Sequence, residues 1–372
     1  MIAIHSRQAL HILTEALRPM AGGEAGVAHR REVDDWPPIL ALANAHFISA
    51  ALYPSLAAAQ DWNSLPEDLR DYLALLHEQN GLRNSHLRQQ AEEVIAAFNA
   101  AGVAPLLLKG GAALFLDYYD DPAARMIRDL DFLVPRSQAD TALNALSRIG
   151  YRAVARYPEG HNAYGDFARD GAPAAIDLHL EVVDAPYLLP AVSLWQQARQ
   201  LCLPCGVAFA PSIQHAVLHN ILHAQVHHTG NYYRGSFELR QLLDFVTLAR
   251  RYRDQIDWTE LSGHMRSHRL TGVLHAYLLA ADRLLGLPWP LPERPGMLTR
   301  WQLQRCLLQI RMPMLEMATL PLANLWSAFA AHRMDGLYGT NPPLFQRRIQ
   351  HAAQFLRKST GDAMVARLFK SH

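Results

Sequence analysis

Residues 107–134, LLKGGAALFLDYYDDPAARMIRDLDFLV, constrain what this chain can fold into more than any other stretch. A short apolar run ends in Lys109-Gly110-Gly111, and after one helix-length of sequence a second apolar run opens with Asp129-Leu130-Asp131. The pattern predicts strand, glycine turn, helix and strand. Alternate side chains of a strand share a face, so Asp129 and Asp131 leave the same side with Cβ atoms roughly 6–7 Å apart. Two such carboxylates repel unless a cation joins them, and Arg125 and Arg128 are the nearest basic residues. Hard cations such as Mg²⁺ take oxygen ligands of this kind and keep substrate phosphates in their shell. A glycine turn able to approach a polyphosphate, followed by two carboxylates, is what a metal-dependent nucleotide-transferring site needs.

The surrounding sequence predicts three regions: a helical one over 1–100, a small α/β core over 101–210, and a helical one over 211–372. In the first, apolar residues recur at helical spacing over Ile2–Leu17, and a break follows at Ala21-Gly22-Gly23. Trp36-Pro37-Pro38 opens a second helix, and a third starts near Pro66 with Ser64 and Glu67 as a capping box. The segment from Asp71 to Ala101 is rich in helix formers, and Gly102 stops it. In the core, Val103–Leu108 and Leu130–Val134 read as strands and Gly111–Tyr119 as a helix. Ser137 caps a helix ending at Gly150. Two strands, 151–156 and 162–169, then lead through an Asp170-Gly171 turn into a third apolar strand over 174–182. Strands alternating with helices and followed by an antiparallel hairpin indicate an α+β class with a mixed sheet.

Bulk composition narrows the function classes. A formal charge of +1 argues against a protein whose main task is gripping long nucleic acid. From Trp301 to His372, however, nine Lys/Arg stand against three acids, a solvated helix face or a surface for an anionic partner such as RNA. Three cysteines form no disulfide framework, and Cys202-Leu-Pro-Cys205 has no second pair to complete a zinc site. Polar residues interrupt the N-terminal apolar run, and no stretch approaches a membrane span. The expectation is a cytoplasmic protein with no membrane contact.

Two-metal nucleotidyl transfer needs a further carboxylate. Asp177 is suited to it, lying between Ile176 and Leu178 on the third strand, where a charge faces either solvent or a site. With Gly110-Gly111, Asp129/Asp131 and Asp177 in this order, the chain resembles the DNA polymerase beta-like nucleotidyltransferase superfamily. It is most similar to a bacterial group of uncharacterised nucleotidyltransferases. The marks are Leu106–Gly110, Tyr118/Tyr119, Asp121-Pro122, Arg125, Asp129–Val134, Ile176–His179, Trp36, and a His-bearing helix followed by Leu242–Asp244. The Lys-Gly-Gly variant is also similar to nucleotidyltransferase toxins. The resemblance implies a polymerase beta-like core flanked by helical regions. It implies Asp129, Asp131 and Asp177 as catalytic Mg²⁺ (or Mn²⁺) ligands. Gly110 and Gly111 would let backbone N–H groups approach the triphosphate of an NTP, and Lys109 and Arg125 would neutralise growing phosphate charge. Arg128 stands where smaller residues are common and either pairs with phosphate or points away.

His215, His219, His223 and His227 form one stripe of a helix capped by Ser212, with His228 beside it. A zinc site is one reading; the others are that the stripe borders the cleft and touches phosphate or base, which we adopt for His219 and His223, or that its rings pack with hydrogen-bonded partners. Tyr232-Tyr233 beside Arg234 is either a loop or a base-stacking pair. The resulting expectation is transfer of a nucleoside monophosphate from an NTP to a hydroxyl with release of pyrophosphate. The acceptor is a small molecule, a protein or an RNA. The alternatives are a non-catalytic nucleotide- or partner-binding protein on the same fold, or a toxin-like enzyme modifying RNA or protein.

Overall fold

A computed structural model describes residues 2–20, 35–58, 62–158, 161–227 and 230–359. The break at 21–23, His228, and Asp362, Arg367 and Lys370 of the basic segment lie outside the described residues. Four helices come first: α1 (Ile2–Leu17), α2 (Pro37–Ala45), α3 (Ser49–Ala57) and α4 (Glu67–Ala100). The α/β part follows as β1 (Leu106–Leu107), α5 (Lys109–Ala113), β2 (Leu130–Leu133), α6 (Ala139–Arg148), β3 (Arg152–Arg156), β4 (Ala163–Ala168) and β5 (Ile176–His179). It closes with α7 (Ala191–Gln196), β6 (Arg199–Leu203) and β7 (Gly206–Ala210). Then come α8 (Ile213–Gln225), α9 (Asn231–Arg234), α10 (Leu239–Arg251), α11 (Trp258–Ser267) and α12 (Thr271–Leu285). The last are α13 (Met297–Arg311), α14 (Pro313–Ala328), α15 (Ala331–Tyr338) and α16 (Leu344–Ser359).

The seven strands form one sheet in the order β3-β4-β5-β2-β1-β7-β6. β2 runs parallel to β5 and β1 parallel to β7, while the other pairs are antiparallel. The class is therefore α+β, a mixed sheet with helical flanks. All four residues of β2 are buried, as expected of a central strand covered on both faces. One apolar core contains Leu13, Phe98, Phe132, Phe245 and Leu303, so it draws on all three expected regions.

Three local expectations are corrected, the first being the Ser64/Glu67 capping box: Pro66 stands at the N-cap of α4 with no side-chain cap bond, and Glu67 is already the first helical residue. The helix expected over Gly111–Tyr119 is only Lys109–Ala113. The chain turns in because Tyr118 and Tyr119 are buried and Arg88 takes the Leu114 carbonyl at 2.9 Å. Gln138, not Ser137, caps α6, because a 3₁₀ turn occupies Arg136–Gln138. The β6–β7 hairpin was not legible, since β6 is an exposed edge strand with no apolar run. Cys202 and Cys205 flank its turn as free thiols, so the Cys-x-x-Cys spacing is turn geometry.

The long helix α4 organises the sheet and the loop before β2. Its 34 residues extend about 50 Å, and the polar residues in its middle are bonded inward rather than solvated. Asn80 Nδ2 donates to the carbonyls of Ala123 and Arg125 at 2.6 and 3.0 Å. Asn84 Nδ2 donates to Pro122 and Arg125 at 2.9 Å each. Farther along, Gln90 exchanges two bonds with Ala174 at 2.7 and 3.1 Å. At the C-terminal end Asn99 does the same with Val207 of β7, at 2.8 and 2.9 Å. Asn99→Ala is expected to lower unfolding free energy by about 1–3 kcal/mol, because it strands a backbone pair of β7. Urea unfolding measures this, and an unchanged midpoint would exclude the clamp.

Candidate active site

The parallel register of β2 and β5 sets Asp131 opposite Asp177 and Leu133 opposite His179. Asp131 is buried, at 1% exposure. Its Oδ1 accepts from Lys109 Nζ at 2.6 Å and faces His179 Nε2 at 2.9 Å. The same Nε2 lies 2.9 Å from Asp177 Oδ2. Among the described residues, Asp131, Asp177 and His179 form the one group whose ligand atoms all lie within 4.8 Å of one another. Asp131 Oδ2 and Asp177 Oδ1 are buried and lack hydrogen-bond partners. Two orphaned carboxylate oxygens beside an imidazole fit a hard or borderline divalent cation.

The charges are strongly coupled. Burial opposes ionisation of Asp131, but Lys109 and His179 outweigh it and hold the carboxyl far below its usual range. Burial likewise opposes protonation of His179, yet Asp177 and Asp131 push its pKa up to about 9. The imidazolium therefore stands where a metal cation would neutralise the same oxygens. Asn162 Nδ2 lies 3.4 Å from His179 Nδ1, while Asn162 Oδ1 has no partner. Rotating that amide by half a turn would offer Oδ1 to the Nδ1–H of the imidazolium. Asp129, just before β2, is raised by burial and then by repulsion from Asp131.

Lys109 reaches Asp131 from a backbone φ of 44°, a left-handed value that costs a residue with a side chain on the order of 1 kcal/mol. Gly110 is small for a packing reason. A Cβ there would lie 2.6 Å from Arg125 Nη1 and 2.9 Å from Ile127 Cγ2. Gly111 is buried with its open side toward the Asp131 carbonyl. Arg125 is buried and forms a two-bond pair with Asp244 of α10, at 2.9 and 2.8 Å. Tyr119 donates to the same carboxylate at 2.6 Å. The guanidinium expected to meet phosphate is thus already neutralised, and it ties the loop before β2 to the C-terminal helices. Arg83 of α4 donates to the Ile127 carbonyl and, at 3.4 Å, to that of Arg128. Arg128 borders the cleft and stacks over Phe47 at 5.1 Å.

These groups line a cleft of about 660 Å³. Lys109, Gly110, Arg128, Asp129, Asp131 and Asp177 line it, as do His223, His227 and Arg240. His219 is set deeper, in a side chamber. Burial lowers both His219, to about 3, and His223, so the rings are neutral hydrogen-bonding groups. Their ring centroids are 5.8 Å apart and nearly perpendicular, and the stripe contributes no member to the metal-fitting group. The zinc reading of the stripe is not supported among the described residues. Tyr233 is buried, and both Tyr232 and Tyr233 pack on Trp326, so this pair is structural. Arg305 and Arg347 of the basic segment also turn inward, to Tyr233 O and Asp335.

His179 escaped the sequence reading, although the signal was present. The same-face argument that joins Asp129 to Asp131 also joins Asp177 to His179, two residues on. Arg240 and Asp184, which also line the cleft, carried no sequence signal.

A family model described as uncharacterised nucleotidyltransferase matches residues 32–286, more than half of the chain. The chain belongs to this family and is a transferase of nucleotidyl groups. The match ends at the close of α12, so α13–α16 lie beyond it. No curated protein and no solved structure matches the chain.

Two outcomes are expected. Asp244→Ala should cost about 3–5 kcal/mol by leaving Arg125 buried and unpaired, whereas Arg125→Met/Asp244→Leu should cost far less; chemical unfolding of both variants decides it. Mn²⁺ should bind the protein, with affinity falling at least about tenfold in Asp131→Asn/Asp177→Asn. Electron paramagnetic resonance of free Mn²⁺ reads this, and equal binding by the double variant would remove the metal assignment.

Proposed function

We propose that this nucleotidyltransferase moves a nucleoside monophosphate from an NTP to a hydroxyl acceptor and releases pyrophosphate. The observation that carries the reading is the pair of buried, partnerless carboxylate oxygens on Asp131 and Asp177, in register on adjacent strands beside Asp129. Mg²⁺ or Mn²⁺ would be held by Asp131 and Asp177 with Asp129 or His179. When bound, it would supply charge neutralisation of the phosphates and acidify the attacking hydroxyl.

The chain's own residues have separable tasks. Lys109, Arg128 and Arg240 line the cleft as cations and bind and orient the triphosphate. Gly110 belongs to the same wall, though α5, five residues long, adds little helix dipole. Asp177, whose side chain is 22% exposed, accepts the hydrogen bond of the acceptor hydroxyl and takes its proton. The acceptor oxygen then bonds to the α-phosphorus as the bond to pyrophosphate breaks. His223 and His227, which also line the cleft, donate or accept hydrogen bonds there.

The test is incubation of the protein with each α-labelled NTP, Mg²⁺ or Mn²⁺, and cell extract. A labelled product is expected, reduced about 10²-fold or more in Asp129→Ala/Asp131→Ala. Undiminished labelling in the double variant, or none with any NTP, would overturn the proposal. If the product is RNA, labelling should fall steeply with added salt; a flat profile points to a small-molecule or protein acceptor.

A further inference from the structure

A second, smaller chamber opens off the cleft behind Lys109. It has about 70 Å³ of free space and shares Lys109, Arg125, His223 and Arg240 with the cleft. Ala112 of α5, Ala216 of α8 and Leu248 of α10 form apolar parts of its wall. Among its polar lining are Tyr118, His219 and Gln241, with exposures of 6%, 4% and 9%. Tyr118 Oη, His219 Nε2, Gln241 Oε1 and, at the neck, Arg240 Nε are each buried with no hydrogen-bond partner. Buried polar atoms are normally satisfied, and four orphans around one cavity call for an occupant.

The charges at the neck say what kind of occupant. Arg125 is paired with Asp244, Lys109 with Asp131 at 2.6 Å, and Arg240 with Glu238 at 3.4 Å. Apart from Arg240 Nε, whose guanidinium charge Glu238 meets, the orphaned side-chain atoms are neutral: the Tyr118 hydroxyl, the Gln241 carboxamide oxygen and a His219 imidazole that burial keeps unprotonated. An anion entering the chamber without its own cation would have to compete with carboxylates already in place, whereas a nucleotide in the cleft would bring a divalent cation to them. A neutral hydroxyl group accepts from Tyr118 and donates to Gln241 without that competition. At roughly 30 Å³ per water the space holds about two waters, or the end of a small ligand, and is too small for a nucleobase with its ribose. The nucleotide therefore belongs to the cleft and not to the chamber.

We propose that this chamber is the acceptor subsite and takes a small, neutral, hydroxyl-bearing fragment such as the end of a polyol chain. Its hydroxyls bond Tyr118, His219 and Gln241, and its carbons rest on Ala112, Ala216 and Leu248. The hydroxyl left at the Lys109 neck is the one presented to the nucleotide. Calling the fragment an acceptor rests on the transfer reaction proposed above; the binding itself does not.

The experiment is titration of glycerol and erythritol into the nucleotide-free full chain carrying ¹⁵N-histidine. The His219 ring resonances report binding, and inorganic phosphate serves as the anionic probe. Saturable shifts of His219 with the polyols are expected, absent in Ala216→Leu, whose side chain fills the chamber. Tyr118→Phe removes only a hydroxyl and should weaken polyol binding about threefold to tenfold; it carries the test if Ala216→Leu fails to fold. No shift with either polyol would mean a chamber that holds water only and would overturn the proposal. So would a response to phosphate alone, or unchanged binding in both variants. Binding of Mg²⁺-NTP by the wild-type chain is measured in parallel. Nucleotide binding without a polyol response sinks the subsite alone, and a polyol response without nucleotide binding sinks the transfer reaction and leaves a polyol site.

Discussion

A carboxylate buried to 1% exposure is the constraint around which the rest of the structure is arranged. Removing an ion from water costs several kcal/mol, and that cost is offset only by close opposite charge and satisfied hydrogen bonds. Asp131 has both on one oxygen, from Lys109 and His179, and neither on the other. The left-handed backbone at Lys109 follows from this need, because it turns the ammonium under the strand at a modest local cost. The protonated His179 follows from it too. Were either cation absent, a second positive group would have to take its place. A site whose resting state already requires imported positive charge is matched to a divalent cation.

The geometry of that site depends on a loop with no regular hydrogen-bonding ladder. Residues 122–128 lie between α5 and β2, and their carbonyls need donors once the loop is covered. Helix α4 supplies them from Asn80, Arg83 and Asn84, all on one stretch of its surface. From the other side Asp121 caps the 3₁₀ turn, accepting from Ala123 N at 2.9 Å, and Asp244 binds Arg125. The loop is thus fixed by side chains from α4 before it and α10 after it, and Asp129 is delivered to the cleft by elements distant in sequence. This explains why the N-terminal helices and the sheet share one core instead of forming separable bodies.

What the sequence disclosed follows the same division. Asp129, Asp131 and Asp177 were legible because strand periodicity is local and carboxylates on a central strand are conspicuous. The mixed sheet and its helical flanks were legible for the same reason: apolar runs and glycine stops lie in one window of sequence. Arg125 was legible as a residue but not in its task, because its partner Asp244 lies 119 positions away and nothing local foretells the pair. The β6–β7 hairpin was hidden because an exposed edge strand has no apolar signature. His219 and His223 were correctly placed on one helix face, yet their neutrality depends on burial by other elements. Charge state is a property of the assembled site, and periodicity does not reach it.

The charge inventory of the cleft bears on the order of events. Asp129, Asp131, Asp177 and Asp184 face Lys109, Arg128, the protonated His179 and an Arg240 that Glu238 already meets, so the cleft holds no excess of positive charge. Arg125 adds nothing net, since Asp244 cancels it. A triphosphate brings several negative charges into this balanced space, and the neutral His223 cannot offset them. In the proposed reaction the nucleotide therefore gains little by arriving alone. Entering with its divalent cation, it brings the charge that Asp131 Oδ2 and Asp177 Oδ1 lack, and it releases His179 from standing in for that charge. Nucleotide and metal affinities are then coupled through the same two oxygens, each ligand strengthening the other.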